Sequence, residues 1–327
     1  MTSFAATYFD GTTWREGVLA LEEGRPVVHD ETPDASLPRF PHAIVGGFTD
    51  HHVHLMLVDP SPLTSSRLGR VLDLGAPFAR LREWAPKLPV QIDFAGAFLT
   101  PPGGYPSDRW WAREGSVREI ADADAAALAV AEMADAGASC IKVMSNSEAG
   151  PVFDDAVFAA IVASAAEHEI PVYAHAEGPG EAERAVRLGA TGLVHTPFTE
   201  RLDDGEIARQ AASAAWITTL AIHEGEPLAI AIDNLRRFAA AGGTVLYGTD
   251  MGNGPTPIDL RAEEVEAMRA AGIDGAALIA TLAPVDPRTP GAVLLRVPQP
   301  TAGVFDPLAA APLAPTDLVT ALTVELP

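Results

Sequence analysis

The segment Phe48-Thr49-Asp50-His51-His52-Val53-His54 ends an apolar run with two histidines spaced two residues apart. Alternate side chains of an extended strand share a face, so His52 and His54 would stand roughly 6.5 Å apart along it, within reach of one cation. Lys142 lies within Cys140-Ile141-Lys142-Val143-Met144, and His175, His195 and Asp250 close three later apolar runs. Four imidazoles and a carboxylate form a nitrogen and oxygen set suited to zinc or another first-row divalent ion. Each residue also has a plainer reading. A single His-x-His is common in cores and on surfaces, Lys142 could be a snorkelling strand-edge lysine, and Asp250 after Gly248-Thr249 could cap a turn. The weight lies in their joint occurrence at successive run ends.

The elements that would position them form a rhythm. Eight short apolar runs occur between residues 46 and 283 or straddle its start: Ile44–His54, Arg70–Leu74, Val90–Ala97, Ser139–Met144, Val172–His175, Gly192–His195, Trp216–His223 and Thr244–Asp250. Helical patterns separate most of them, at Asp122–Ala136, Asp155–His168, Gly180–Leu188, Glu206–Ala214, Pro227–Ala241 and Ala262–Ala271. Alternating strands and helices give parallel strands joined by crossovers. Eight units over 46–283 fit a (β/α)8 barrel, whose strand C-termini share one mouth where chemistry is done. His52, His54, Lys142, His175, His195 and Asp250 would then ring one cavity. No Gly-x-Gly-x-x-Gly follows the first strand, which argues against a dinucleotide site. Residues 1–45, with turn signals at Asp10-Gly11, Glu23-Gly24 and Pro33-Asp34, read as short strands. Residues 284–327, rich in proline, read as strands and loops rather than helix.

Composition narrows the function classes. The chain has 327 residues, 48% apolar, with 22 Lys and Arg against 44 Asp and Glu, a formal net charge of -22. Such a surface repels phosphate backbones and anionic membranes, so nucleic-acid and membrane partners are not expected and a small-molecule substrate is. One cysteine, Cys140, allows no intramolecular disulfide and no cysteine-based metal site; it reads as a small core residue. No basic flank and apolar stretch marks a leader, and the Ala-rich segment 121–138 carries too many acids to span a membrane, so the cytoplasm is the expected location. A homo-oligomer is compatible with a barrel but is not legible.

The order His52-Val53-His54, Lys142, His175, His195, Asp250 resembles the amidohydrolase superfamily. Gly46-Gly47-Phe48-Thr49-Asp50-His51-His52-Val53-His54 is similar to its first-strand signature, and Ala138-Ser139-Cys140-Ile141-Lys142-Val143-Met144 to its lysine strand. Val172-Tyr173-Ala174-His175-Ala176-Glu177, Gly192-Leu193-Val194-His195 and Leu99-Thr100-Pro101-Pro102-Gly103-Gly104 resemble the imidazolonepropionase-like and Xaa-Pro dipeptidase-like subgroup. The resemblance covers about residues 44 to 255. It implies that 1–45 and 284–327 are two parts of a small β-sandwich. It implies two divalent ions per chain, zinc foremost: His52, His54 and Asp250 on one, His175 and His195 on the other, and N-carboxylated Lys142 bridging them. A shared water of lowered pKa would attack a carbonyl, with Asp250 as general base and then acid.

Three features depart from the family pattern. The loop after His54 is short, Glu177 stands where relatives of the dipeptidase type often carry histidine, and Leu282-Ala283-Pro284 interrupts an expected C-terminal helix. Glu177 faces the cavity by strand alternation and could act on substrate as an extra acid or form a salt bridge with an arginine. His223, at the end of the seventh run, could hydrogen-bond substrate or transition state. Tyr105, Arg109, Trp110, Trp111 and Arg113 could bind an aromatic or carboxylate-bearing substrate, or form an ordinary surface loop. The expected reaction is hydrolysis of an amide-type C–N bond in a cyclic amide or dipeptide-like substrate. The alternative is an ester, lactone or phosphotriester. A mononuclear deaminase fits less well, because Gly178 stands where a glutamate belongs; a non-catalytic scaffold would retain fewer of the donors.

Overall fold

The computed structural model describes residues 2–324. The chain opens with β1 (Ser3–Phe9), β2 (Trp14–Glu22), β3 (Arg25–His29) and β4 (Ala43–Gly46). There follow β5 (Phe48–Val53), β6 (Leu68–Asp73), α1 (Phe78–Trp84), β7 (Gln91–Phe94), β8 (Phe98–Thr100), β9 (Val117–Glu119), α2 (Ala123–Asp135), β10 (Ile141–Asn146), α3 (Asp155–Glu167), β11 (Val172–Glu177), α4 (Glu181–Arg187), β12 (Gly192–Leu193), α5 (Asp204–Ser213), β13 (Ala215–Ile217), α6 (Gly225–Ala240), β14 (Thr244–Leu246), α7 (Ala262–Ala270) and α8 (Gly275–Thr281). It closes with β15 (Leu294–Val297), β16 (Ala311–Pro312) and α9 (Pro315–Val324).

The central elements form a mixed α/β fold with two parallel sheets: seven strands in the order β14-β13-β12-β11-β10-β8-β9, and three in the order β5-β6-β7. Hydrogen bonds link the sheets at both ends. At one end His51 N–H donates to Tyr247 O (2.9 Å) and His54 N–H to Met251 O (2.7 Å). At the other, Ser139 N–H donates to Phe94 O (2.8 Å). Leu72 and Leu74 of the smaller sheet's side also pack with Cys140, Val194 and Ile217 of the larger. The expected third strand, Val90–Ala97, holds only β7, which pairs with β6; β8, which pairs with β10, begins just beyond that run. Gly96 between them takes a left-handed backbone, φ +82°, which ends the extended run.

Strand and helix composition follow burial. All six residues of β10 are buried, as expected of a parallel strand covered on both faces. On α2 the buried residues Ala126, Ala129, Val130 and Met133 fall at helical spacing, and the Asp122 carboxylate caps the helix by accepting from Ala125 N–H. Trp216 on β13 stacks on Phe238 of α6 with centroids 3.9 Å apart. Helix α5 starts before the expected Glu206, because Asp203 and Glu206 form a reciprocal capping box.

The terminal segments meet in one mixed sheet, order β16-β15-β4-β1-β2-β3, rather than the two sheets of a sandwich. Its N-terminal and C-terminal parts pair directly through β4 and β15, so one sheet suffices. The alternation on β1 buries Phe4, Ala6 and Tyr8. The C-terminal segment is not free of helix: α9 lays Leu318 on the cluster of Phe4, Phe40, Ile44 and Leu294. Pro315 misled the sequence reading, but at the first turn of a helix the missing N–H is no loss. Gly47 hands the chain from β4 to β5; a Cβ there would lie 2.4 Å from Gly69 N. No helix among the described residues is long and apolar enough to cross a membrane.

Candidate active site

A cavity of about 640 Å³ opens among the ends of the parallel strands, and His52, His54, Lys142, His175, Glu177, His195, His223 and Asp250 all line it. The structure therefore brings together every residue singled out from the sequence for metal or proton chemistry. Two placements differ from expectation. The seventh strand ends at Ile217, not at His223. Thr219 then takes a left-handed backbone, φ +46°, and the single turn Leu220–Ile222 carries the chain to His223. Likewise β14 ends at Leu246, and Asp250 follows in an irregular stretch with φ +54°. That conformation is costly for a non-glycine residue and persists where its surroundings fix it. Met251 does so, its N–H donating to His52 O (3.3 Å) and its carbonyl accepting from His54 N–H.

The donor atoms converge on the floor. His52 Nε2 and His54 Nε2 are 3.2 Å apart, and each lies 3.2 Å from Asp250 Oδ1. The His195 ring completes the group, 4.8 Å from His52 and 4.9 Å from His175 between centroids; ligand atoms of His52, His195 and Asp250 all lie within 4.8 Å of one another. The far side of two of these rings is tied down, whereas His54 Nδ1 is buried with no hydrogen-bond partner among the described residues. His52 Nδ1 lies 2.8 Å from Val194 O, a carbonyl that can only accept, so Nδ1 carries the proton and Nε2 presents a lone pair. His195 Nδ1 is held at 2.8 Å by Thr219 Oγ1. Burial pushes both imidazoles well below their ordinary range, which keeps them neutral.

This set fits a cation. A bare nitrogen facing a carboxylate oxygen at 3.2 Å is repulsive unless a positive charge lies between them. Two donors 2.0–2.1 Å from one zinc ion at the tetrahedral angle are roughly 3.3 Å apart, which matches the spacing of these three atoms. Lys142 is buried on β10, and its side chain makes no hydrogen bond or ion pair among the described residues. Burial pulls its amine down to about 7, against the opposing charge of Asp250. Near neutral pH a substantial fraction of this amine is uncharged, and the uncharged form is the one that reacts with carbon dioxide.

Glu177 accepts from Asn146 Nδ2 (2.6 Å) and lies 3.0 Å from His175 Nε2. It pairs with no arginine among the described residues. Its carboxyl is lowered by the His175 hydrogen bond against the cost of burial. His223 stacks on Phe198 with centroids 4.0 Å apart, and its buried Nε2 has no hydrogen-bond partner. Burial lowers this imidazole to about 4. Cys140 is a buried free thiol, as expected, pushed up to about 12 by burial. Sequence reading missed the supporting residues. Asn146 carries a legible signal, standing four residues after Lys142 on the same face of β10. Glu264 carries none: it sits on α7, wholly buried, and accepts from Leu220 N–H (2.9 Å) and Ala221 N–H (2.7 Å), gripping the turn before His223.

No protein-family model matches the chain, and no curated protein matches its sequence. Solved structures do match over almost the whole length. A Xaa-Pro dipeptidase with methionine bound in its active site aligns with 14% identity over 91% of this chain and 94% of its own, TM-score 0.69. An amidohydrolase aligns with 19% identity over 96% and 97%, TM-score 0.68. The chain shares its fold with these solved dipeptidase and amidohydrolase structures. Phenylurea hydrolase B aligns as well, with 16% identity over 96% of this chain and 95% of its own, TM-score 0.68.

Proposed function

We propose that this chain is a metal-dependent hydrolase of amide-type C–N bonds in a dipeptide-like or related substrate, and that its two parallel sheets close as one (β/α)8 barrel around the site. The observation that carries the reading is the His52 Nε2 lone pair set 3.2 Å from Asp250 Oδ1 with His54 Nε2 beside both. His52, His54 and Asp250 would hold one divalent ion, zinc in this reading, and His175 and His195 a second. Lys142, converted by carbon dioxide from amine to carbamate, would supply the anion between them. Bound divalent ions lower the pKa of water and polarise a carbonyl oxygen.

The remaining steps belong to the chain's own groups. Asp250 accepts the proton of the attacking water and delivers it to the departing nitrogen; its Oδ2 is oriented by Asn253 Nδ2 at 2.9 Å. His223, neutral and with an unpartnered Nε2 in the cavity, offers a hydrogen bond to charge developing on the carbonyl oxygen. Glu177, fixed by Asn146, meets the substrate on the side of His175. The similar folds named above, a dipeptidase and a phenylurea hydrolase, support C–N bonds as the class attacked.

The test is turnover of a panel of dipeptides, N-acyl amino acids and arylamides by protein loaded with zinc or manganese in bicarbonate. Hydrolysis that chelation abolishes and a divalent ion restores is the expected result. Activity indifferent to chelation, or none on any amide with metal bound, contradicts the reading.

A further inference from the structure

The cavity has two unlike halves. Its floor is the donor set and Glu177; one wall is a run of aromatic rings leading away from that floor. Phe98 lies 5.5 Å from the His54 ring, Trp111 is 6.0 Å from Phe98 and 6.1 Å from Tyr105, and Tyr105 is 5.5 Å from His175. Trp110 continues the wall to the lip, where it is 87% exposed. Arg113, also on the lip, is the one arginine lining the cavity among the described residues.

Arg113 is unusual for this chain. Acids outnumber bases 44 to 22, so a guanidinium rarely lacks a partner. Only Arg25, Arg82 and Arg113 among the arginines make no ion pair among the described residues. Neighbouring Arg109 is engaged, paired with Asp108 at 3.4 Å and lying over the Tyr105 ring. The Arg113 fork is therefore unengaged over a cavity whose other acidic and basic groups sit at the floor. A planar guanidinium matches a carboxylate through two parallel hydrogen bonds.

We infer that the substrate carries a free carboxylate recognised by Arg113 at the lip and an apolar group packed on the Phe98–Tyr105–Trp111 wall: an N-acyl or N-aminoacyl derivative of an apolar amino acid, cut at the amide nearer the floor. This inference rests on the hydrolase reading for the cut, but not for the binding. The step is ordinary hydrolysis: water adds to the carbonyl carbon, the C–N bond breaks, and the released amino acid takes the proton.

Titration of the full-length protein with N-acetyl-L-leucine and with N-acetyl-L-leucinamide, followed by tryptophan fluorescence, tests the carboxylate site without turnover. The acid binds at least about tenfold more tightly than the amide, the preference shrinks as salt is raised, Arg113→Gln removes it, and Arg113→Lys keeps part of it. Equal binding of acid and amide, no binding of either, or an unchanged preference in Arg113→Gln overturns the inference. A preference for the acid with no hydrolysis of any amide by metal-loaded protein leaves the carboxylate site standing and removes the hydrolase reading. Hydrolysis of acid and amide at equal kcat/KM does the reverse.

Discussion

His52 and Trp110 line the same cavity, yet His52 is wholly buried and Trp110 is 87% exposed. His52 sits on a paired strand, its backbone N–H bound by the Asp50 carboxylate at 3.0 Å and its ring by Val194 O. Asp50 also accepts from Thr249, one residue before Asp250, so one buried carboxylate joins the two segments that carry three of the donors. Trp110 makes no side-chain hydrogen bond and belongs to a loop. The floor is thus fixed by the same bonds that hold the sheets together, whereas the exposed lip at Trp110 contributes little to folding. Substrate preference can then drift at the lip while the donor geometry stays, which is how one fold comes to host different substrates.

The largest way to test that contrast is at the floor. Asp250→Asn is expected to cut kcat about 10³-fold or more while the melting temperature stays within a few degrees, checked by steady-state kinetics and a thermal melt. A rate within tenfold of wild type would sink the assignment of Asp250.

Next comes the link between floor and fold. Glu264→Ala leaves one buried and one half-buried N–H group without an acceptor, and a loss of about 2–4 kcal/mol in urea denaturation is expected. The same variant should lower kcat, because the turn it frees leads to His223. An unchanged midpoint would show that the turn does not depend on α7.

A smaller effect is expected at the margin of the floor. Glu177→Gln replaces a charged acceptor by a neutral one beside His175, and roughly tenfold in kcat/KM is expected to go. At the wall, Trp110→Ala should raise KM several-fold, leave kcat nearly unchanged and move stability by less than about 0.5 kcal/mol. A large stability loss in that variant would erase the distinction between wall and floor.

The floor was legible in the sequence because its residues interrupt apolar strands at their C-terminal ends, where a polar residue needs a reason. His52, His54, Lys142, His175, His195 and Asp250 all stood out in that way. The places the sequence misled are irregular. Gly96 ends the extended backbone inside a run that reads as strand to Ala97, Thr219 bends the chain short of His223, and Pro315 opens a helix in a segment that reads as strands and loops. Helix α1, bounded by Pro77 and Pro86, escaped notice for the same reason. The supporting acids Asp50, Asp73 and Glu264 act across long sequence separations, as Asp73 does in accepting from Leu55 N–H at 2.8 Å. Nothing in their local pattern announces the backbone groups they meet.

Metal content measured by ICP-MS, on protein purified without chelator or affinity metal, decides whether the floor holds two ions. About two divalent ions per wild-type chain are expected, and fewer in Lys142→Ala with the fold intact by circular dichroism. No bound ion after reconstitution with zinc or manganese in bicarbonate, or equal content in Lys142→Ala, would contradict the two-ion site.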